Sequence, residues 1–410
     1  MSGGRPMTLV RTWRTATEAF SAPSFGYLWG GSAMFSFAQW MEWTATSWLV
    51  FDSTGSVFLT ALSWAARTAP AMVMGPIAGA LADRVSRVRL LVIAALLKAA
   101  VLGLISVVAL ADEPPVALLL LLLLASGVAL PLWIASTQPL IQDLVGAERA
   151  MSAISINSFG QRVVGVPGAF VAGVIIEKLA VSWAVGLAAV LMLVGAGLYL
   201  RIRSPRQMEA RVTSLGDDVR EGVKLVGREP AVAMLLALMV VVENLGFSMN
   251  SVLPVVADEI MGVGPAGYGL LVMSRGVGSI GGTLGLAALG DYRHKGPLLA
   301  GVVAAFGLLV VGVAISEVFA ISLLILAGVG AAMAAVDALE WILLQAAVAD
   351  EFRGRVIGAW NVAIGFGWVG PVVLGGTASI LGVQPSLAIF GSLLVMVGLG
   401  VGRWPRLREL

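Results

Sequence analysis

The sequence has no cysteine and a single histidine in 410 residues. Without cysteine there is no disulfide, no thiolate nucleophile and no thiolate metal site. His294 stands among Asp291, Arg293 and Lys295 and reads as a solvated loop residue rather than a ligand. A phosphate-cradling loop of the form Gly-x4-Gly-Lys-Ser/Thr is missing, which argues against an ATP-driven pump. No metal-ligand cluster and no Ser/His pair stands out either, so neither an enzyme nor a metal or cofactor is expected. Charge is scarce as well. Only 12% of residues are charged, about half of the quarter found in soluble domains. The net charge of +2 is too small to suggest a nucleic-acid partner. Lysine is the rarer cation, 4 against 22 arginines, which fits a GC-rich bacterial genome.

What the chain has in abundance is apolar length. It is 59% hydrophobic with a mean hydropathy of +0.94. Its apolar runs are long and lack period-two alternation, so an integral membrane protein of helices, not a barrel, is expected. The 50 glycines suit close helix packing in lipid. A span needs roughly 20 apolar residues. On that ruler twelve fall near Tyr27–Phe51, Val57–Leu81, Leu90–Ala111, Val116–Ala135, Ala153–Ile176, Val181–Leu200, Ala231–Pro254, Tyr268–Leu289, Pro297–Ile315, Phe319–Leu344, Val356–Leu381 and Ser386–Gly402. Pro70, Pro76, Pro131, Pro167 and Pro371 mark expected kinks. The first 22 residues lack the apolar core of a cleavable signal, so the N-terminus is expected to stay in the cytoplasm.

The basic residues follow the same count. Of the 26, twenty-one fall in segments that would be cytoplasmic, and only Lys178 falls in an outer loop. That predicts a multi-pass protein of the bacterial inner (plasma) membrane with both termini cytoplasmic. The chain divides into residues 1–200, a linker 201–230, and residues 231–410. Leu215, Val219, Val223 and Val226 against Asp217, Asp218, Arg220 and Lys224 suggest an amphipathic interfacial helix in the linker. The halves repeat. At a shift of 208, Arg67 meets Arg275, Asp83 meets Asp291 and Arg87 meets Lys295. At 204, Arg149 meets Arg353, Asn157 meets Asn361 and Pro167 meets Pro371. Rare charges in register argue for two parallel six-helix repeats.

The loop Gly79-x3-Asp83-Arg84-x2-Arg87-x-Arg89 joins the second and third spans. It resembles the signature loop of major facilitator superfamily transporters, with Ser86 in place of the usual glycine and Val88 interrupting the basic pair. Further likenesses are Gln345-x4-Asp350-Glu351-x-Arg353-Gly354-Arg355 and Gly370-Pro371-x3-Gly375-Gly376. So are Gly165-x-Pro167-Gly168-x4-Gly173, Thr54-Gly55-Ser56 and the Asp218, Arg220, Glu221, Gly222 element. Together they resemble the branch holding the enterobactin exporter and drug–proton antiporters. The resemblance implies an all-α fold of twelve transmembrane helices in two pseudo-symmetric six-helix bundles. It implies a proton-coupled exporter of small amphipathic molecules, drugs or siderophore-like compounds, and a latch made of Gly79, Asp83, Arg84, Arg87 and Arg89. An uptake transporter or lipid flippase shares the fold. A membrane receptor is a more distant alternative. Expected partners are a small-molecule substrate and the bilayer, with the chain monomeric.

Ionisable residues inside spans are costly and are functional candidates by default. Eight stand there: Glu42, Arg67, Lys98, Arg162, Glu243, Arg275, Asp337 and Glu340. Glu42 and Arg67 lie roughly 13–15 Å from the outer end and could pair, as could Glu243 and Arg275. Asp337 and Glu340 share one face of span ten. Two close acids in a low dielectric cannot both ionise cheaply, which suits a proton carrier. The expected coupling set is Glu42, Glu243, Asp337 and Glu340. Arg67, Arg162 and Arg275 would hold counter-charge or anionic substrate groups, with Trp40 and Trp43 beside Glu42 as an aromatic wall. The alternative for each acid is a fixed salt bridge, for Asp337 and Glu340 to Arg162 or Lys98. Lys98 carries the least functional weight, being placed to snorkel to the inner face.

Overall fold

A computed structural model describes residues 19–203, 229–290, 292–348, 359–360 and 362–404. The described residues form twelve long helices, which we number in order. They are α1 (Phe25–Thr54), α2 (Val57–Arg84), α3 (Arg87–Val108), α4 (Val116–Val145), α5 (Ala147–Lys178), α6 (Val181–Leu200), α7 (Pro230–Ser251), α8 (Gly264–Leu289), α9 (Lys295–Ile315), α10 (Phe319–Ala346), α11 (Val362–Leu381) and α12 (Val383–Val401). Eleven are long and apolar enough to cross a membrane. α1 is more polar, with Gln39, Glu42, Thr44, Thr46 and Ser47 all buried by neighbouring helices rather than facing lipid.

The expected spans match these helices. The largest difference is α4, which runs on past Ala135 to Val145. A hydropathy ruler stops where the apolar run stops, but the helix continues through Gln138, Gln142 and Asp143 until Gly146 ends it at φ +80°. Two of the expected proline kinks are breaks, α2 at Ala69–Pro70 and α5 at Val166–Pro167, whereas Pro76 sits inside the continuous helix Pro70–Arg84. The Thr54-Gly55-Ser56 run makes the α1–α2 turn. Gly55 is left-handed at φ +58°, and the Ser56 hydroxyl accepts the Leu59 amide at 3.2 Å as a helix N-cap. The amphipathic stretch 215–227, Asp291, Asp350–Arg355 and Asn361 lie outside the described residues.

Within residues 25–200, α1 packs on α5 and α6, and α3 on α4 and α6. Within residues 230–401, α8 packs on α10, and α9 on α10 and α12. Small residues make these contacts close. A side chain at Gly330 would collide with the Arg275 carbonyl, and one at Gly282 with Ala331. The most extensive contacts between the two sets are α5 on α8 and α2 on α11.

These crossing contacts are asymmetric along the membrane normal. One face carries Arg84–Arg89, Arg149, Arg293 and Lys295; call it the basic face. Near the opposite face the crossing pairs touch backbone to backbone. A Cβ on Gly173 would meet Pro265 O at 2.4 Å, and one on Gly375 would meet Ala61 Cβ at 2.6 Å. Trp48 of α1 stacks on Tyr268 of α8, ring centroids 6.0 Å apart. Near the basic face a Cβ built on Gly75, Gly79, Gly281 or Gly285 meets nothing within 4 Å among the described residues. Among the described residues the two sets meet at the opposite face and splay apart at the basic face.

Candidate functional site

The eight intramembrane charges separate into three groups. Glu42 belongs to the first. Its expected partner was Arg67, but its ion pair is with Lys98 of α3, Nζ to Oε2 2.8 Å. Gln39, one turn before Glu42, donates to the same carboxylate oxygen at 3.1 Å and accepts from Lys98 at 2.6 Å. Ser126 of α4 donates to the other oxygen at 2.5 Å. Glu42 and Lys98 are 0% and 1% exposed. Lys98 therefore does not snorkel. A fully buried carboxylate is a stronger attraction than a distant interface, because an unpaired buried ammonium is very costly. Gln39 and Ser126 were missed by sequence reasoning. The i, i+3 spacing of Gln39 and Glu42 was the available signal for the first, and Ser126 had none.

Arg67 is held instead by hydroxyls. It donates to Thr46 Oγ1 at 2.6 Å and to Ser47 Oγ at 3.2 Å. Thr46 in turn donates to the Glu42 carbonyl at 2.8 Å. The Arg67 guanidinium lies over Trp64, 4.9 Å from the ring. Trp64 meets Trp43 at 5.7 Å, and Trp43 meets Trp40 at 5.8 Å. Arg275 of α8 lies over Trp40 at 5.3 Å. The two repeat-related arginines thus cap a row of three tryptophans running from α2 through α1 to α8, and each cation gains a π face in a low dielectric. The expected Glu243–Arg275 ion pair does not form among the described residues.

The third group is acidic. Glu243, Asp337 and Glu340 lie within electrostatic reach of one another, and Arg162 within reach of Asp337. Glu340 is 1% exposed, and one of its carboxyl oxygens has no hydrogen-bond partner among the described residues. Glu243 is half-buried against Gly367, and Asp337 is exposed to the splayed cleft. Arg162 is exposed too and reaches Ser279 of α8 at 3.4 Å. Lys98 is taken up by Glu42 and cannot bridge these acids. The helix spacing that puts Asp337 and Glu340 on one face was legible; the approach of Glu243 from α7 was not.

Of the loop residues, Arg87 is engaged. It pairs with Asp143 at the basic end of α4. Asp83, Arg84 and Arg89 are exposed, and Gly79 faces open space. Trp133 is buried within the helix packing. It stacks on Phe35, centroids 4.6 Å apart, and donates to the Tyr199 hydroxyl at 2.8 Å, packed among α1, α4 and α6.

Comparison with known proteins agrees with this architecture. Residues 14–409 match the family model MFS_3, transmembrane secretion effector. The multidrug efflux pump Tap of Mycolicibacterium fortuitum is 25% identical over 386 residues, covering 89% of this chain and 92% of Tap. The nucleoside transporter NupG superposes with a TM-score of 0.76 at 13% identity, over 92% of this chain and 98% of NupG. A bacterial homologue of the human lysosomal transporter Spinster, inward-facing and unoccupied, superposes with a TM-score of 0.72 at 14% identity, over 94% and 98%. These last two share the fold. With nearly its whole length matched, the chain belongs to the transmembrane secretion effector family of major facilitator superfamily transporters.

Proposed function

We propose that this transporter is a proton-coupled exporter of small amphipathic molecules, working by alternating access between residues 1–200 and residues 231–410. The observation that carries the coupling is Glu340, a buried carboxyl with an unpartnered oxygen, joined by Glu243 and opened to the cleft through Asp337. Clustered acids in a low dielectric favour holding a proton over holding three charges. Arg162, projecting from the other half, supplies a counter-charge when the cleft narrows. Glu42, held by Lys98, Gln39 and Ser126, fixes the register of α1, α3 and α4 rather than carrying protons.

Export is supported by the likeness to an efflux pump. The excess of cations on the basic face supports a cytoplasmic assignment for it, in a bacterial inner membrane with both termini inside. The state described above is then inward-facing. In it Arg87 is held by Asp143 within its own half, and the exposed Asp83, Arg84 and Arg89 are placed to engage when the basic face closes. The chain works as a monomer, with no cofactor beyond the proton gradient.

The test is transport of ethidium in proteoliposomes under an imposed pH gradient. The Asp337→Asn, Glu340→Gln double variant is expected to lose gradient-driven transport. Undiminished gradient-driven transport in that variant would remove the coupling assignment.

A further inference from the structure

Two helices of the second half are interrupted where they meet, and one side chain joins the interruptions. α7 leaves α-helical geometry after Leu245 and becomes the 3₁₀ turn Phe247–Ser251. α11 loosens into a turn at Phe366–Trp368 before resuming as helix over Val369–Leu381. Pro371 accounts for that turn: it has no N–H, and it crowds the carbonyl four residues back, that of Gly367. Within the turn the amides of Gly367 and Val369 reach only three residues back, to Ile364 at 2.9 Å and Phe366 at 3.1 Å. In a bilayer the backbone groups freed by a break must find partners on neighbouring helices. The Gly370 amide does so by donating to Asn244 Oδ1 of α7 at 2.5 Å.

Asn244 is oriented for that contact. Its amide nitrogen donates to the Val240 carbonyl of its own helix at 2.7 Å, which turns its oxygen to α11. The two backbones come close because residue 370 has no side chain: a Cβ there would collide with Ser248 Oγ and the Asn244 carbonyl. The turn also lies against Glu243. A Cβ on Gly367 would stand 2.8 Å from Glu243 Oε1. Among the described residues, Asp337 and Glu340 of α10 are within electrostatic reach of Glu243. α11 and α12 carry no charged group there, and Arg67 of α2 is held by Thr46 and Ser47. On its far side α11 meets the other half. A Cβ on Gly365 would stand 2.8 Å from Met72 Cα, and Gly375 abuts Ala61. These two contacts run antiparallel and bring the α11 turn level with the α2 break at Ala69–Pro70. Three residues beyond Met72, a Cβ on Gly75 already meets nothing within 4 Å. Two interrupted helices thus face each other where the halves begin to part, and interruptions are where helices bend.

We propose that Asn244 is a positioning residue of the transport cycle: by tying α11 to α7 beside Glu243, it passes the state of that carboxyl to the α2–α11 hinge. The proposal deepens the transport reading and rests on it for the role of Glu243. It also gives the glycines of α11 separate tasks. Gly367 admits the Glu243 carboxyl, Gly370 admits Asn244, and Gly365 admits α2.

The test uses the full chain in nanodiscs at one alkaline pH. The sequence has no cysteine, so cysteines introduced at Arg149 and His294, exposed on the basic face of either half, carry the only spin labels. Double electron–electron resonance then reads the ratio of splayed to closed molecules. Glu243→Gln is expected to shift that ratio in the otherwise unchanged chain. Asn244→Ala is expected to shift it about threefold or more, and Glu243→Gln should add nothing on top. Asn244→Asp keeps the acceptor oxygen and is expected to restore the response to Glu243→Gln. An Asn244→Ala chain that is less stable yet keeps the ratio and its full response to Glu243→Gln would overturn the proposal, leaving Asn244 a structural cap. A ratio untouched by Glu243→Gln in the otherwise unchanged chain would overturn it as well. Should Asn244→Ala fail to fold, hydrogen exchange around Gly370 in Glu243→Gln decides. A severalfold change is expected there, and exchange equal to that of the unchanged chain would overturn the proposal. A ratio indifferent to pH would count against proton coupling alone, because every comparison above is made at a single pH.

Discussion

Two buried carboxylates, Glu42 and Glu340, one in each half, meet opposite surroundings. Glu42 has Lys98 at 2.8 Å and two further hydrogen bonds, from Gln39 and Ser126, with Lys98 also donating to Gln39. Glu340 has two other acids in reach and an oxygen with no partner. A charge buried with its counter-ion and hydrogen-bonded by its neighbours ties its helices together, because removing either partner is costly. On the proposed reading, the carboxyl buried among acids is the one that exchanges a proton. On the proposed reading, the cation within reach of Glu42 makes that half the fixed one and leaves the other half to respond.

The comparison can be broken most severely at Lys98. Lys98→Met leaves Glu42 buried and unpaired, and is expected to cost about 3–5 kcal/mol in stability, read from thermal unfolding in detergent. Adding Glu42→Gln should recover most of the loss. If the single variant were as stable as wild type, the pair would not be structural. Ser126→Ala removes one hydrogen bond to a charged oxygen and should cost about 1.5–3 kcal/mol by the same measurement. Glu340→Gln sharpens the contrast, since it exchanges a carboxyl for a neutral group of the same shape. Its unfolding is expected to shift by less than about 1 kcal/mol. Arg87→Ala breaks a partly exposed pair with Asp143, 22% and 29% exposed. That should change stability by under about 1 kcal/mol.

Much of the architecture was legible because a bilayer imposes length on helices and sign on loops. Spans and breaks at Pro70 and Pro167 followed from those two constraints. So did the pairing of repeat positions such as Arg67 and Arg275. Partner choice did not. Glu42 could reach Arg67 by depth alone, but depth carries no azimuth, and the face of α1 bearing Glu42 turns to α3. Arg67 is satisfied by Thr46 and Ser47, residues whose hydroxyls give no signal in a hydropathy profile. The tryptophan row was half visible: Trp40 and Trp43 share a helix face, whereas Trp64 and Arg275 join it only through helix packing. The 3₁₀ turn Phe247–Ser251 at the end of α7 was invisible, because an asparagine inside an apolar run does not announce a break in the helix.

The most direct comparison sets Glu340→Gln beside the neutral pair Glu42→Gln, Lys98→Met in proteoliposomes, each assayed for ethidium accumulation under a pH gradient and for ethidium exchange without one. Glu340→Gln is expected to lose gradient-driven accumulation and keep exchange, while the neutral pair keeps both. Coupling that survives Glu340→Gln and disappears with the neutral pair would reverse the roles assigned to the two halves.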